Sequence, residues 1–270
     1  MQTTANLWEV LCRDLETQRS QTSKDKHHAA AQNFKASAMQ VFRESSPRLC
    51  DALEISGDVC QASGFLKDAA KDFEGSLARN LKLGSISSAA RVSAKLALLM
   101  DHLGEEAGAI RHYTQALELY ETSHDHSQDS LLTSNLAGLE KRSGDFAASE
   151  RHYKKALDAA VRTRGEIHPE VALICNNLGV AYTEFGDWVK AENLHMRALG
   201  IREQLYGAMH QDVAQSLANL AVVYHSSANY AKACGYYQAA LDTFLAFRKP
   251  DDPEVVQLKA AIAKIQGGAA

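Results

Sequence analysis

The stretch that decides the fold is "NLGVAYTEFGDWVKAENLHMRAL", Asn177 to Leu199. Its apolar and small residues recur at steps of three and four, the spacing of one helix face rather than of a strand. The same arrangement starts at Asn135 as "NLAGLEKRSGDFAASERHYKKAL" and at Asn219 as "NLAVVYHSSANYAKACGYYQAAL". The three starts share one 42-residue step, and the preceding loops keep it through His126, His168, His210 and Asp252. Unrelated helices do not hold phase over four units, so the chain reads as an array.

Each column has a physical reading. Leu136, Leu178 and Leu220 are core positions of a first helix, and Ala137, Gly179 and Ala221 beside them let a neighbouring helix approach closely. Gly144 and Gly186 fall where that helix must stop, because glycine takes the left-handed conformation cheaply. Asp145, Asp187 and Asn229 follow as N-caps of a second helix. On it, Ala156, Ala198 and Ala240 are small again, with Tyr153, His195 and Tyr237 one turn earlier. Tyr182 and Tyr224 fill space between the helices, but Glu140 stands in that column of the unit before. Glu140 therefore needs either solvent or a cationic partner, and Lys141 and Arg142 point elsewhere on a helix. Pro169 suits a first helical position and Glu170 the positive end.

These columns resemble the tetratricopeptide repeat, whose order is Leu-Gly-x-x-Tyr, then Ala, an aromatic and Ala. Here it reads Leu178, Gly179, Tyr182, Ala191, His195, Ala198, and then Leu220, Ala221, Tyr224, Ala233, Tyr237, Ala240. The 42-residue step with "HPEVA" before the first helix resembles the kinesin light chain variety. Earlier units step by 40 through Gly64, Gly104 and Gly144, with a good signature at Leu96 to Ala116 and a weaker one at Ser56 to Ser76. The resemblance implies an all-α fold: a tetratricopeptide-type helix-pair superhelix, a right-handed α-solenoid of about six helix pairs plus a C-terminal capping helix. The expected divisions are a divergent N-terminal pair (1–49, its helices near Leu7–Thr17 and in "HHAAAQNFKASAMQVF"), weaker repeats (50–125), regular repeats (126–252), and a capping helix from Pro253 to Ile265 with a frayed "QGGAA" end (253–270). All are read as one continuous solenoid.

Composition agrees with helices: four prolines, 7 % aromatics and abundant alanine. A net charge of −4 and the lack of a basic run argue against nucleic acid. No apolar stretch approaches the length of a membrane span, roughly 18 residues or more, so no membrane insertion is expected. "MQTTANLWEVLCRDLE" reads as neither signal nor transit peptide. The five cysteines, Cys12, Cys50, Cys60, Cys175 and Cys234, form no C-x-x-C pair and read as reduced thiols of a cytoplasmic protein, with association to the cytoskeleton or a cilium left open. No catalytic motif is present, so no enzyme, catalytic residue or cofactor is predicted. The best metal candidate is "SHDHSQD" with His124, Asp125, His126 and Asp129, but His126 belongs to the periodic loop column, and no metal site is predicted.

Surface remains. The resemblance implies a concave groove lined by first helices, at one, two and five positions before the signature leucine and two and five after it. That assigns Arg91, Lys95, Asn135, Asn176, Asn177, Asn219 and His225 to a peptide-binding groove, with Arg142 added near the far end of its helix. Asparagine both donates and accepts, so it suits the backbone of an extended peptide. Acidic character in the bound segment is expected near Arg91 and Lys95, and basic character near Asp51, Glu54 and Asp58. The expected function is a non-enzymatic adaptor that holds a peptide or helix of a partner protein. The alternative is a fixed subunit of a cytoskeletal, ciliary or motor-associated assembly that uses its convex face and ends.

Overall fold

The 40- and 42-residue periods each fold as two helices and two short turns. The computed structural model describes residues 4–19 and 23–268, and thirteen α-helices and no strand lie among them. In order they are α1 (Thr4–Arg19), α2 (Lys24–Val41), α3 (Pro47–Ser63), α4 (Leu66–Lys82), α5 (Ile86–His102), α6 (Glu106–Thr122) and α7 (Asp129–Arg142). Then come α8 (Phe146–Arg164), α9 (Pro169–Phe185), α10 (Trp188–Tyr206), α11 (Gln211–Ser226), α12 (Tyr230–Leu245) and α13 (Pro253–Gln266). The expected N-terminal pair is α1 and α2, and the expected cap is α13. Residues 1–3 and 20–22 of the N-terminal division, and Ala269 and Ala270 of the frayed end, lie outside the described residues.

The turns follow from local chemistry. Gly186 ends α9 at φ +87°, and the Asp187 N–H reaches back to the Tyr182 carbonyl at 3.0 Å. This six-to-one bond satisfies a carbonyl the helix leaves orphaned. Asp187 then caps α10 by accepting from the Lys190 N–H at 3.2 Å. Asp145 and Asn229 cap α8 and α12 in the same way. Three residues of the periodic loop column are caps as well: His168 and His210 accept through Nδ1 from the N–H of Glu170 and Asp212, both at 3.2 Å. Asp252 does so for α13, accepting from Glu254 at 3.1 Å.

The chain divides into two compact units, Met1–Leu132 and Thr133–Ala270. In the first, α3 packs on α4, α5 on α6, and α4 on α5. Leu15, Phe34, Phe42 and Leu49 form its N-terminal core, with Trp8 edge-on to Phe42. Ser56, in the signature-leucine column, is fully buried and donates to Asp72 Oδ2 at 2.7 Å. Lys35 holds the other oxygen of that carboxylate at 2.7 Å. The weaker repeat thus has a satisfied polar core where the regular ones have leucine.

In the second unit α9 packs on α8 and α10, α11 on α10 and α12, and α13 on α12. Its first helices also meet, α9 against α11. The core comprises Val171, Ile174, Leu178, Tyr182, Ala198 and Ile201, continuing to Ala221, Tyr237, Phe244 and Leu258. A recurring tie joins neighbouring pairs here. Tyr182 donates to Glu150 on α8, and Tyr224 donates to Glu192 on α10, both at 2.5 Å. Lys190 and Lys232 lie 4.9 and 4.7 Å over the same two rings. Glu150, Tyr182 and Lys190 therefore recur one full period later as Glu192, Tyr224 and Lys232. Glu140, which replaces tyrosine, shares a hydrogen bond of 2.7 Å with His152 Nδ1, so its partner is a histidine on α8.

Candidate functional site

The first helices of the second unit expose apolar side chains. Leu173 on α9 and Val222 on α11 are 44 % and 42 % exposed. They stand five before and two after their signature leucines, in the columns assigned to the groove. Between them runs a chain of amides. Gln215 Nε2 donates to Asn219 Oδ1 at 3.2 Å, and Asn219 Nδ2 donates to Asn176 Oδ1 at 2.5 Å. Each asparagine keeps hydrogen-bonding capacity beyond these bonds, since a primary amide offers two donors and two acceptor lone pairs. Beside them a cleft of about 370 Å³ opens between α11, α12 and α13, with Ala218, Val222, Tyr237, Phe244, Leu258 and Ala261 in its walls. Glu254 is its one formal charge among the described residues; Gln215, Asn219 and Gln257 supply its other polar lining.

Several of the residues assigned to the groove have partners within the chain. Arg91 is half exposed but grips Glu54 with two hydrogen bonds, Nε to Oε1 and Nη2 to Oε2, each 2.9 Å. Lys95 reaches Glu54 at 2.9 Å and Asp58 at 2.7 Å. Burial pushes the Glu54 carboxyl up, but the bonds and charges of Arg91 and Lys95 outweigh it and hold the pKa below the usual range. The cations and the acids expected at separate places along the groove are thus paired with each other. Equivalent faces of α3 and α5 lie side by side, so the acids of one neutralise the bases of the next.

His225 packs on aromatic rings and is half-buried. Its ring meets Tyr230 and Tyr237 edge-on at 5.6 and 6.2 Å, and its Nδ1 is buried. Asn177 is half-buried beside Leu178, and Asn135 is half-buried on α7. Arg142 is exposed in the last turn of α7, and its neighbour Lys141 pairs with Glu184 at 2.7 Å. The exposed apolar residues Leu173 and Val222, and the contribution of α13, were not singled out from sequence. The column rule named their positions, and their apolar character was the signal available.

At "SHDHSQD", His126 Nδ1 lies 2.8 Å from Asp129, and Asp125 accepts from the Ser127 N–H. Among the described residues no three His, Cys, Asp or Glu side chains are placed to hold a metal ion. The five cysteines are free thiols, and burial pushes Cys175 up to about 11, which keeps it protonated and unreactive. No helix among the described residues is long and apolar enough to cross a membrane.

The family model for soluble NSF attachment protein, SNAP, matches residues 22–164, more than half of the chain. The tetratricopeptide repeat model matches 129–204 and 176–246. Among solved structures, BtubC (BKLC) from P. vanneervenii is similar with 26 % identity and a TM-score of 0.73, over 86 % of this chain and 95 % of that one. The apo form of RapI is 14 % identical with a TM-score of 0.75, over 98 % and 75 %. A Podosopora anserina putative kinesin light chain with nearly identical TPR-like repeats is 17 % identical with a TM-score of 0.61, over 76 % and 99 %. The last two likenesses are of fold alone. No curated protein matches the chain.

Proposed function

Because the chain belongs to the tetratricopeptide-repeat proteins and, through residues 22–164, to the soluble NSF attachment protein family, we propose that it works as a cytoplasmic adaptor holding a segment of a partner protein on the first helices of its second unit. The repeat fold is that of a protein–protein interaction scaffold. The observation that carries the finer reading is the amide chain Gln215–Asn219–Asn176 flanked by exposed Leu173 and Val222 and continued by the cleft at α13. Amides with spare capacity suit a peptide backbone, and apolar side chains of the segment would enter the cleft. Charge has little part there, so the segment is apolar and weakly charged where it meets α11 and α13. A carboxylate of the partner reaching Arg91 or Lys95 in the first unit has to displace Glu54 or Asp58, which favours a multiply acidic contact over a single one.

Photo-crosslinkers at Leu173 and Val222, with controls at the exposed Met196 and Asp242, test this reading in native cells. The partner should crosslink from the first two positions, and Asn176→Ala with Asn219→Ala should weaken it about tenfold. Crosslinks from the control positions only, with no free 29.5 kDa species on gel filtration, would favour the fixed-subunit reading.

A further inference from the structure

The second helices of the same unit carry a cationic cleft that the groove reading leaves unused. It lies between α8 and α10 and has a volume of about 810 Å³. Leu157 and Val161 lie half-buried in it. Arg151, Lys155 and Arg162 line it, all exposed and all on α8 at helical spacings of four and seven. Lys154 and Arg197 line it too, but they are held by Glu150 at 2.6 Å and Glu166 at 2.5 Å. Among the described residues, Arg151, Lys155 and Arg162 have no ion-pair partner, unlike Arg91 and Lys95 of the first-helix face. Three cations without an ion pair along one helix face outnumber the two acids of the lining, Asp158 and Glu166, in a chain whose net charge is −4.

We propose that this α8–α10 cleft is a second docking surface, and that its occupant is an acidic amphipathic segment of a partner protein. Aliphatic side chains of the segment would lie on Leu157 and Val161, and its carboxylates would pair with Arg151, Lys155 and Arg162. At 1.5 Å per residue, Arg151 to Arg162 covers ~16 Å, which is the reach of about three turns of a helical partner. Nucleic acid fits less well. Asp158 and Glu166 share the lining and would oppose a continuous phosphate backbone, which also offers nothing to an apolar floor. Carboxylates spaced on one face of a helix can avoid those two acids while aliphatic groups fill the floor.

The test uses the full chain and a fluorescent 16-residue helical peptide with Glu and Leu on adjacent faces and Ala elsewhere. Three further probes are its scrambled isomer, a version with Lys for Glu, and a 16-nucleotide single-stranded DNA. The acidic peptide should bind, weaken at higher salt, and protect amides of α8 and α10 from hydrogen exchange. The triple variant Arg151→Glu, Lys155→Glu, Arg162→Glu should lose at least tenfold in affinity while keeping its helical circular dichroism. The milder Lys155→Gln with Arg162→Gln should lose several-fold, and it keeps the test decisive if the reversal variant unfolds. Equal binding of the scrambled peptide, unchanged affinity in both variants, or protection confined to α9, α11 and α13 would overturn the proposal. So would binding of DNA but not of peptide. None of these failures bears on the first-helix groove, which is probed at Leu173 and Val222.

Discussion

Gly179 shows how one missing methyl sets a helix crossing. A Cβ placed there would come within 2.8 Å of the His195 ring, closer than real side chains approach. Gly57 stands in the same relation to Phe73, at 2.6 Å. In three other units the small residue is Ala97, Ala137 or Ala221, and the aromatic sixteen residues on is Tyr113, Tyr153 or Tyr237. Gly179→Ala should cost about 1–3 kcal/mol through overpacking. His195→Tyr added to it recreates the alanine–tyrosine combination of the other units. Urea unfolding of the two single variants and the double should therefore give a favourable coupling of about 1 kcal/mol; additive losses would show that the crossing is set elsewhere. His195 also carries an acid liability. It is 1 % exposed, and burial, with the Arg202 charge second, brings its pKa down to about 4 from 6.5. The unfolded chain therefore takes the proton first. Stability is complete above about pH 6.5 and falls as the pH drops toward 4, by about 3 kcal/mol from this group. His112, lowered by burial and then by Arg111, acts in the same direction. His195→Phe, the side chain that Gly57 already accommodates, should flatten the dependence between pH 7 and pH 5. An unchanged slope in that variant would assign the acid sensitivity to other groups.

At the scale of the element, the turn between α11 and α12 departs from its relatives. Gly144 and Gly186 take φ of +85° and +87°, but Ala228 occupies the same column at φ +59°. An L-residue there bears about 1–2 kcal/mol of strain. Ala228→Gly relieves it and returns about 0.4–1 kcal/mol through the looser unfolded chain. The net expectation is a gain of about 0.5–1 kcal/mol, visible as a higher urea midpoint with unchanged slope; a lower midpoint would mean the methyl group contributes packing that the turn geometry does not reveal. Such local features were legible from sequence. The caps Asp145, Asp187 and Asn229, the stops Gly144 and Gly186, and the start of the final helix at Pro253 depend on residues within one turn of each other. The pairings that reshape the surface were not legible. Arg91 with Glu54, and Asn219 with Asn176, join residues 37 and 43 apart. Those separations miss the repeat by part of a turn, because long side chains on neighbouring first helices reach diagonally. Column registers place the backbone positions but not the rotamers that decide which partner is met.

At the scale of the whole molecule, stability in a stacked array is close to a sum of each pair's own stability and the interfaces with its neighbours. The two compact units divide within α7, close to where the repeat step lengthens and Glu140 takes the tyrosine position. Within the second unit, interfaces carry the tie of glutamate, tyrosine and lysine twice, at Tyr182 and at Tyr224. Burial, then the Glu150 bond and charge, raise Tyr182 to about 12, so at neutral pH its hydroxyl remains a donor. Tyr182→Phe removes the bond to Glu150 yet keeps the ring under Lys190, and by the usual worth of a hydrogen bond to a charged group it should cost about 1.5–3 kcal/mol. Glu150 is partly solvated and can be rehydrated, so the lower end is expected. The loss should also be local. Hydrogen exchange followed by peptide mass spectrometry should show faster opening in α8, α9 and α10, a smaller effect in α11 and α12, and no change in α3 to α5. If α3 to α5 accelerate as much as α9, the chain unfolds as one cooperative body, and nearest-neighbour addition does not describe it.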